Sequence, residues 1–205
     1  MGLFDKLKNQ AAGAAQGATR QLGNQASKTI GQAVSNVGKG VGKSVSVTFG
    51  SMPQTLAEFT TLPQAEMKTP FDTAAMLVAA LCVYPGNKTE AVAMINFLRG
   101  PRPLAPREES FIGERLRDKD YLPASYFNGA TPQNGYVPSE PYTVVISDGP
   151  YSYTTENMAN LLLQSSGADE KREVQLRLSK DGKWYLWEHK LLPGIRQPEA
   201  QNPWA

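Results

Sequence analysis

Histidine and cysteine, the side chains most often found at catalytic and metal centres, occur once each in the 205 residues, as His189 and Cys82. A zinc site needs several such ligands, and His189 is flanked only by Glu188 and Lys190. A Ser-His-Asp arrangement with Asp148 or Asp169 would lack the Gly-x-Ser-x-Gly turn that exposes a nucleophile, so His189 reads as an ordinary strand residue. Cys82 falls in Ala74 to Val83, the most apolar run of the chain. There a thiol behaves as a small hydrophobe with a raised pKa. Asp120, Asp148 and Glu188 flank aromatic segments, but acid–base work needs a pKa displaced by burial or a neighbour. Turn capping and surface charge are their simplest roles. Gly42-Lys43-Ser44 ends like a phosphate loop, yet Val37 stands where the first glycine belongs and no apolar strand precedes it. The composition calls for no metal and no cofactor, and the chain reads more readily as a binding protein than as an enzyme.

Cations interleaved with aromatic rings are the more productive pattern. Arg99, Arg102 and Arg107 bracket a Pro-rich loop, and Tyr121, Tyr126, Phe127 and Tyr136 follow in the next one. Guanidinium and aromatic surfaces together suit protein interfaces and anionic ligands, so these seven form a candidate interaction surface. The plain alternative is that the rings pack the long loop onto the domain. A second set, Tyr142, Trp184 and Trp187, could line a pocket between helices and sheet, which would suit a small-molecule-binding domain or an enzyme. Trp184 and Trp187, three apart on one strand, fall on opposite faces.

The elements that must position these residues are predicted from period and punctuation. Thr69-Pro70-Phe71-Asp72 opens a helix with an N-cap, a first-turn proline and an acid at the positive end. It runs to Tyr84-Pro85-Gly86-Asn87 and, being apolar nearly all round, should be central. A second helix, Thr89 to Arg99, stops at Gly100-Pro101, and a third begins near Pro106. Residues 120–141 form a long aromatic, Pro- and Gly-rich connection. Strands follow at 142–146, 158–164, Val174 to Leu178 and, through Asp181-Gly182, 183–189. Helices first and strands afterwards predict an α+β domain over residues 51–205. About three helices should pack on an antiparallel meander of about four strands.

Residues 1–50 follow different rules. Residues 1–43 hold six Lys or Arg against Asp5 alone, a net charge of +5, whereas residues 44–205 carry −3. Leu7, Ala11, Ala14, Ala18, Leu22, Ala26, Ile30, Ala33, Val37 and Val41 recur at helical spacing, a thin stripe interrupted by glycines. Such an arm suits an anionic membrane surface or a protein partner, through Phe4, Lys6, Leu7, Lys8, Arg20, Leu22, Lys28 and Ile30. Otherwise it is a solvating tail, the Gly-rich part from Gly38 to Gly50 above all. Nucleic-acid binding through the arm alone is a further alternative, but residues 44–205 are acidic and lack a basic stripe. No secretory h-region and no spanning apolar run occur, and one cysteine excludes an internal disulfide. The expectation is a cytoplasmic protein, peripheral at the membrane.

Gly100-Pro101-Arg102-Pro103-Leu104, Ser125-Tyr126-Phe127-Asn128-Gly129-Ala130-Thr131-Pro132, Pro150-Tyr151-Ser152-Tyr153 and Trp184-Tyr185-Leu186-Trp187-Glu188 are together specific. Over about residues 58–205 the chain resembles an uncharacterised family of bacterial proteins, a domain of unknown function. The resemblance implies a bacterial, cytosolic origin and carries over no site residues.

Overall fold

A computed structural model of the chain describes residues 42–204. The first described strand, β1 (Ser44–Phe49), alternates exposed Ser and Thr with Val and Phe that turn inward. Five helices follow: α1 (Leu56–Thr61), α2 (Pro70–Val83), α3 (Lys88–Arg99), α4 (Pro106–Leu116) and α5 (Tyr121–Ala124). Four strands complete the domain: β2 (Tyr142–Ser147), β3 (Met158–Leu163), β4 (Arg172–Leu178) and β5 (Trp184–His189). The sheet is antiparallel throughout, in the order β1-β2-β3-β4-β5. The expected α+β class therefore holds, with five helices and five strands.

The additional strand corrects one expectation. Ser44–Phe49 is not part of a Gly-rich tail: it pairs along its whole length with β2, Ser44 opposite Ser147 and Phe49 opposite Tyr142. Val47 and Phe49 are buried, so the apolar half of this strand contributes to the core. The predicted boundary at residue 50 thus cuts between a strand and the sheet to which it belongs. The membrane-arm residues Phe4, Lys6, Leu7, Lys8, Arg20, Leu22, Lys28 and Ile30 lie outside the described residues.

Helix α2 begins as its sequence predicts. The Thr69 hydroxyl accepts the Asp72 N–H at 3.2 Å while the Asp72 carboxylate accepts the Thr69 N–H, a reciprocal cap behind Pro70 at the first helical position. From Phe71 to Val83 only Asp72 and Cys82 are not buried. A helix surrounded in this way needs apolar residues on every side, which is why Ala74-Ala75-Met76-Leu77-Val78-Ala79-Ala80-Leu81 shows no polar face. Its neighbours across the core are Val144, Ile146, Ala159, Leu161, Leu163, Val174, Leu176 and Leu186, one inward residue in two along each strand.

The connection from α5 to β2 enters the core by its rings. Tyr121, Tyr126, Phe127 and Tyr136 are all buried, and the hydroxyls of Tyr126 and Tyr136 find carbonyl partners there. Tyr126 donates to the Leu191 carbonyl at 2.6 Å and Tyr136 to the Arg196 carbonyl at 2.7 Å. Phe127 bridges to Val144 and Asn128 N–H donates to Thr143, which fills the split where β2 and β3 diverge.

Candidate functional site

At the β5 edge of the sheet, residues far apart in sequence converge on one tryptophan. Register places Leu176 opposite Leu186 but Gln175 opposite Glu188, so Trp187 is the extra residue of a β-bulge. Leu186 points into the core; Trp187 turns to the other face, half-buried. The guanidinium of Arg102 lies 4.4 Å from the Trp187 ring centroid and that of Arg177, on β4, lies 4.8 Å from it. Stacking of this kind contributes roughly 0.5–1 kcal/mol per exposed pair and holds both planar cations in defined positions.

The bulge also leaves the Trp187 carbonyl pointing away from the ladder, and two arginines reach it. Arg99 Nη1 is 3.5 Å from this oxygen and Arg102 Nη1 is 3.4 Å. Arg99 is the better anchored, with only 3% of its surface exposed. It donates from Nη2 to both Glu108 oxygens at 2.9 and 3.2 Å, and from Nε to the Arg102 carbonyl at 2.9 Å. Burial pushes the Glu108 carboxyl up, but the Ala105 N–H and the Arg99 and Arg102 guanidinia outweigh it and hold the group below its ordinary value. The α3–α4 corner is thus bolted to the back of β5, and Arg102 is carried round to its outer face.

Gly100 makes that corner. Its φ of 58° and ψ of −117° lie in a region essentially reserved for glycine, and a Cβ there would collide with the Tyr185 ring. His189, two residues past the bulge, has a Nδ1 that is sealed from solvent and meets no hydrogen-bond partner among the described residues. Burial, helped by the nearby Arg99 charge, drives its pKa down to about 4, so the ring is neutral at pH 7.

Arg99, Arg102 and Trp187 come together as one site. Arg177 belongs to it and was not singled out by sequence; alternation marks it as an outward residue of β4, but nothing local shows that Trp187 stands beside it. Arg107 is exposed on α4 and makes no ion pair among the described residues. Tyr121, Tyr126, Phe127 and Tyr136 form no surface, for they are core, as their need to bury aromatic area dictates.

The expected pocket does not assemble. Tyr142 sits on β2, its hydroxyl donating to Glu140 at 3.0 Å and its ring edge-on to Phe127 at 6.0 Å. Trp184 lies three strands away, packed against the core with its backbone bonded to Met67 and Thr73. Trp187 faces the opposite side. Between helices and sheet the space is filled by the α2 side chains. An open groove of about 730 Å³ lies instead on the helical side, between Tyr84, Lys88, Glu109, Arg117 and Asp120.

Chemically reactive groups are poorly placed. Burial raises the Cys82 thiol to about 12, which keeps it protonated and unreactive at neutral pH. Tyr153 is likewise pushed up to about 12, by burial and by Asp148. No cluster of three or more His, Cys, Asp or Glu able to hold a metal ion occurs among the described residues. No described helix is long and apolar enough to cross a membrane.

Comparison with known proteins gives one match: residues 51–199 fit the family model described as a domain of unknown function, DUF6935. No curated protein matches the chain, and no solved structure matches it.

Proposed function

The chain belongs to the DUF6935 family, and from that premise we propose that it is a non-enzymatic binding protein. Its folded domain is the recognition module, and its basic arm, residues 1–43, holds it at an anionic membrane surface. The observation that carries this reading is the segregation of charge. The arm is +5 and the remainder −3, so the two parts prefer different surroundings. Near a charged leaflet each Lys or Arg contributes on the order of 1 kcal/mol. The domain would be repelled from the same leaflet and remain available to a second partner.

The recognition surface we assign is the outer face at β5, where Arg102 and Arg177 stack on Trp187. An arginine pair preorganised on an indole offers in-plane N–H donors to carboxylates while its flat faces stay apolar, a combination common at protein interfaces. A protein partner with an acidic and aromatic patch fits it. The neutral His189 and the protonated Cys82 support a binding role over a catalytic one. On this reading the protein is cytoplasmic and peripheral at the membrane.

The test is co-sedimentation of the full-length chain with anionic and with neutral vesicles, beside a variant carrying Lys6→Ala, Lys8→Ala, Arg20→Ala and Lys28→Ala. Binding to anionic vesicles alone, lost in the variant and weakened by salt, is the expected result. A full-length chain that stays in the supernatant with both vesicle types overturns the tether.

A further inference from the structure

Among the described residues the outward edge of β1 has no partner strand. Asp148 N–H donates to the Lys43 carbonyl at 2.9 Å, which fixes the phase of the ladder: Lys43, Val45, Val47 and Phe49 direct their backbone groups toward β2. The Asn128 N–H bond to the Thr143 carbonyl agrees, because it shows the odd residues of β2 turned away from β1. Ser44, Ser46 and Thr48 therefore direct N–H and C=O outward, and among the described residues no bond reaches them. Their side chains are exposed. Natural sheets protect such an edge with a charge, a proline, a bulge or a cover. Ser44–Phe49 has no charged residue, no proline and no bulge, whereas β5 has a bulge and bonds from Met67, Thr73, Arg99 and Arg102.

We infer that the occupant of this edge is β1 of a second copy of the chain, antiparallel about a two-fold axis, which joins two five-stranded sheets into one of ten. Antiparallel pairing requires outward residues to face outward residues, so even positions must oppose even positions. One register uses all three: Ser44 opposite Thr48, Ser46 opposite Ser46 on the axis, and Thr48 opposite Ser44. In that register no two like charges meet, since Lys43 falls opposite Phe49 and Gly42 opposite Gly50. Charge also selects the antiparallel sense. The two arms, each +5, enter at opposite ends of the seam, with their Gly42 residues about 27 Å apart at about 3.4 Å per residue. That is beyond the Debye length of about 8 Å at physiological salt, whereas a parallel seam would bring the arms together.

Sedimentation velocity of the full-length chain, with light scattering for mass, is the first measurement, and twice the chain mass is expected. Ser46→Pro removes one outward N–H and no bond to β2. Ser46→Lys keeps every N–H but sets two ammonium groups against each other on the axis. Both variants should fall to single-chain mass while still unfolding cooperatively, with a midpoint that no longer rises with chain concentration. Oxidation reads the register. Residues paired on the axis have Cα atoms about 5.5 Å apart, inside the bridgeable range of about 4.4–6.8 Å, so Ser46→Cys should give a disulfide-linked dimer and Ser44→Cys should not. A wild-type chain of single mass overturns the inference. So does a dimer indifferent to Ser46→Pro and Ser46→Lys, whose seam lies elsewhere. A single-mass chain whose Ser46 amide still exchanges slowly would mean that the chain's own upstream segment covers the edge, and the second copy would again be excluded.

Discussion

Along β5 the outward backbone groups are met by Met67, Thr73, Arg99 and Arg102, whereas along β1 no described residue meets those of Ser44, Ser46 and Thr48. Both are edges of one sheet, so the difference is not one of architecture. The β5 edge is sealed by the Met67 carbonyl, by Thr73 of α2 and by the arginines of α3 and its corner, and that seal includes a buried cation with a fixed partner. Among the described residues the β1 edge is held only from its inner side, by Val47 and Phe49 and by β2. Sealing therefore makes β5 dependent on a few polar residues, while β1 should tolerate substitution of an outward side chain that touches nothing described, such as Ser44.

The largest effect is expected at Arg99. Arg99→Ala removes the bonds to Glu108, to the Arg102 carbonyl and to Trp187 together, and leaves a partly covered carboxylate without its cation. A loss of about 3 kcal/mol, read as a lower urea midpoint at unchanged slope, would match the cost of breaking a buried pair. An effect below about 1 kcal/mol would mean that the seal does not hold the edge.

Acid should unlock the same edge through His189. Its folded pKa is depressed to about 4 by burial and by Arg99, against an unfolded value near 6.5. The unfolded chain therefore binds more protons between those values, and stability falls as pH drops from about 6.5 to about 4. The slope is at most about 1.4 kcal/mol per pH unit. Glu108, whose folded pKa is lowered, contributes stability above its unfolded value and loses it only at lower pH. His189→Gln should flatten the upper part of the unfolding profile and leave the lower part in place.

Gly100→Ala sharpens the comparison further, because it perturbs the corner without touching a charge. A positive φ unsuited to a side chain and a collision with Tyr185 together predict a loss of about 2 kcal/mol by thermal unfolding. The smallest effect belongs to β1. Ser44→Lys, outward and exposed, should change the monomer's unfolding free energy by no more than about 0.5 kcal/mol. A loss several times larger would show that the bare edge is supported by something it touches.

The sequence disclosed the parts of the fold whose cause is local. Thr69, Pro70 and Asp72 mark the start of α2 because a cap is made by residues three apart. Val174, Leu176 and Leu178 announce β4 by alternation. Ser44–Phe49 was hidden because its polar half is serine and threonine, beside glycines, and its partner lies about 95 residues away. The site was half visible. Arg99, Arg102 and Trp187 could be singled out by type, but their meeting depends on a bulge, which leaves no mark in the sequence. Sequence leaves Tyr126 and Tyr136 open between surface and loop packing, since a tyrosine near prolines and glycines looks the same whether its hydroxyl finds water or a carbonyl such as that of Leu191.

All five described helices lie between β1 and the strand it pairs with. During synthesis β1 leaves the ribosome before any of them, and its partner Tyr142–Ser147 follows only after the last. Every other strand neighbours the one made just before it, so the meander from β2 to β5 can zip locally, while the β1 contact closes a long loop. β1 is thus the first of the described strands to be made, and its docking closes the longest loop of the sheet. For that interval β1 has no β2 beside it, and the +5 charge of residues 1–43 would oppose the close approach of nascent copies.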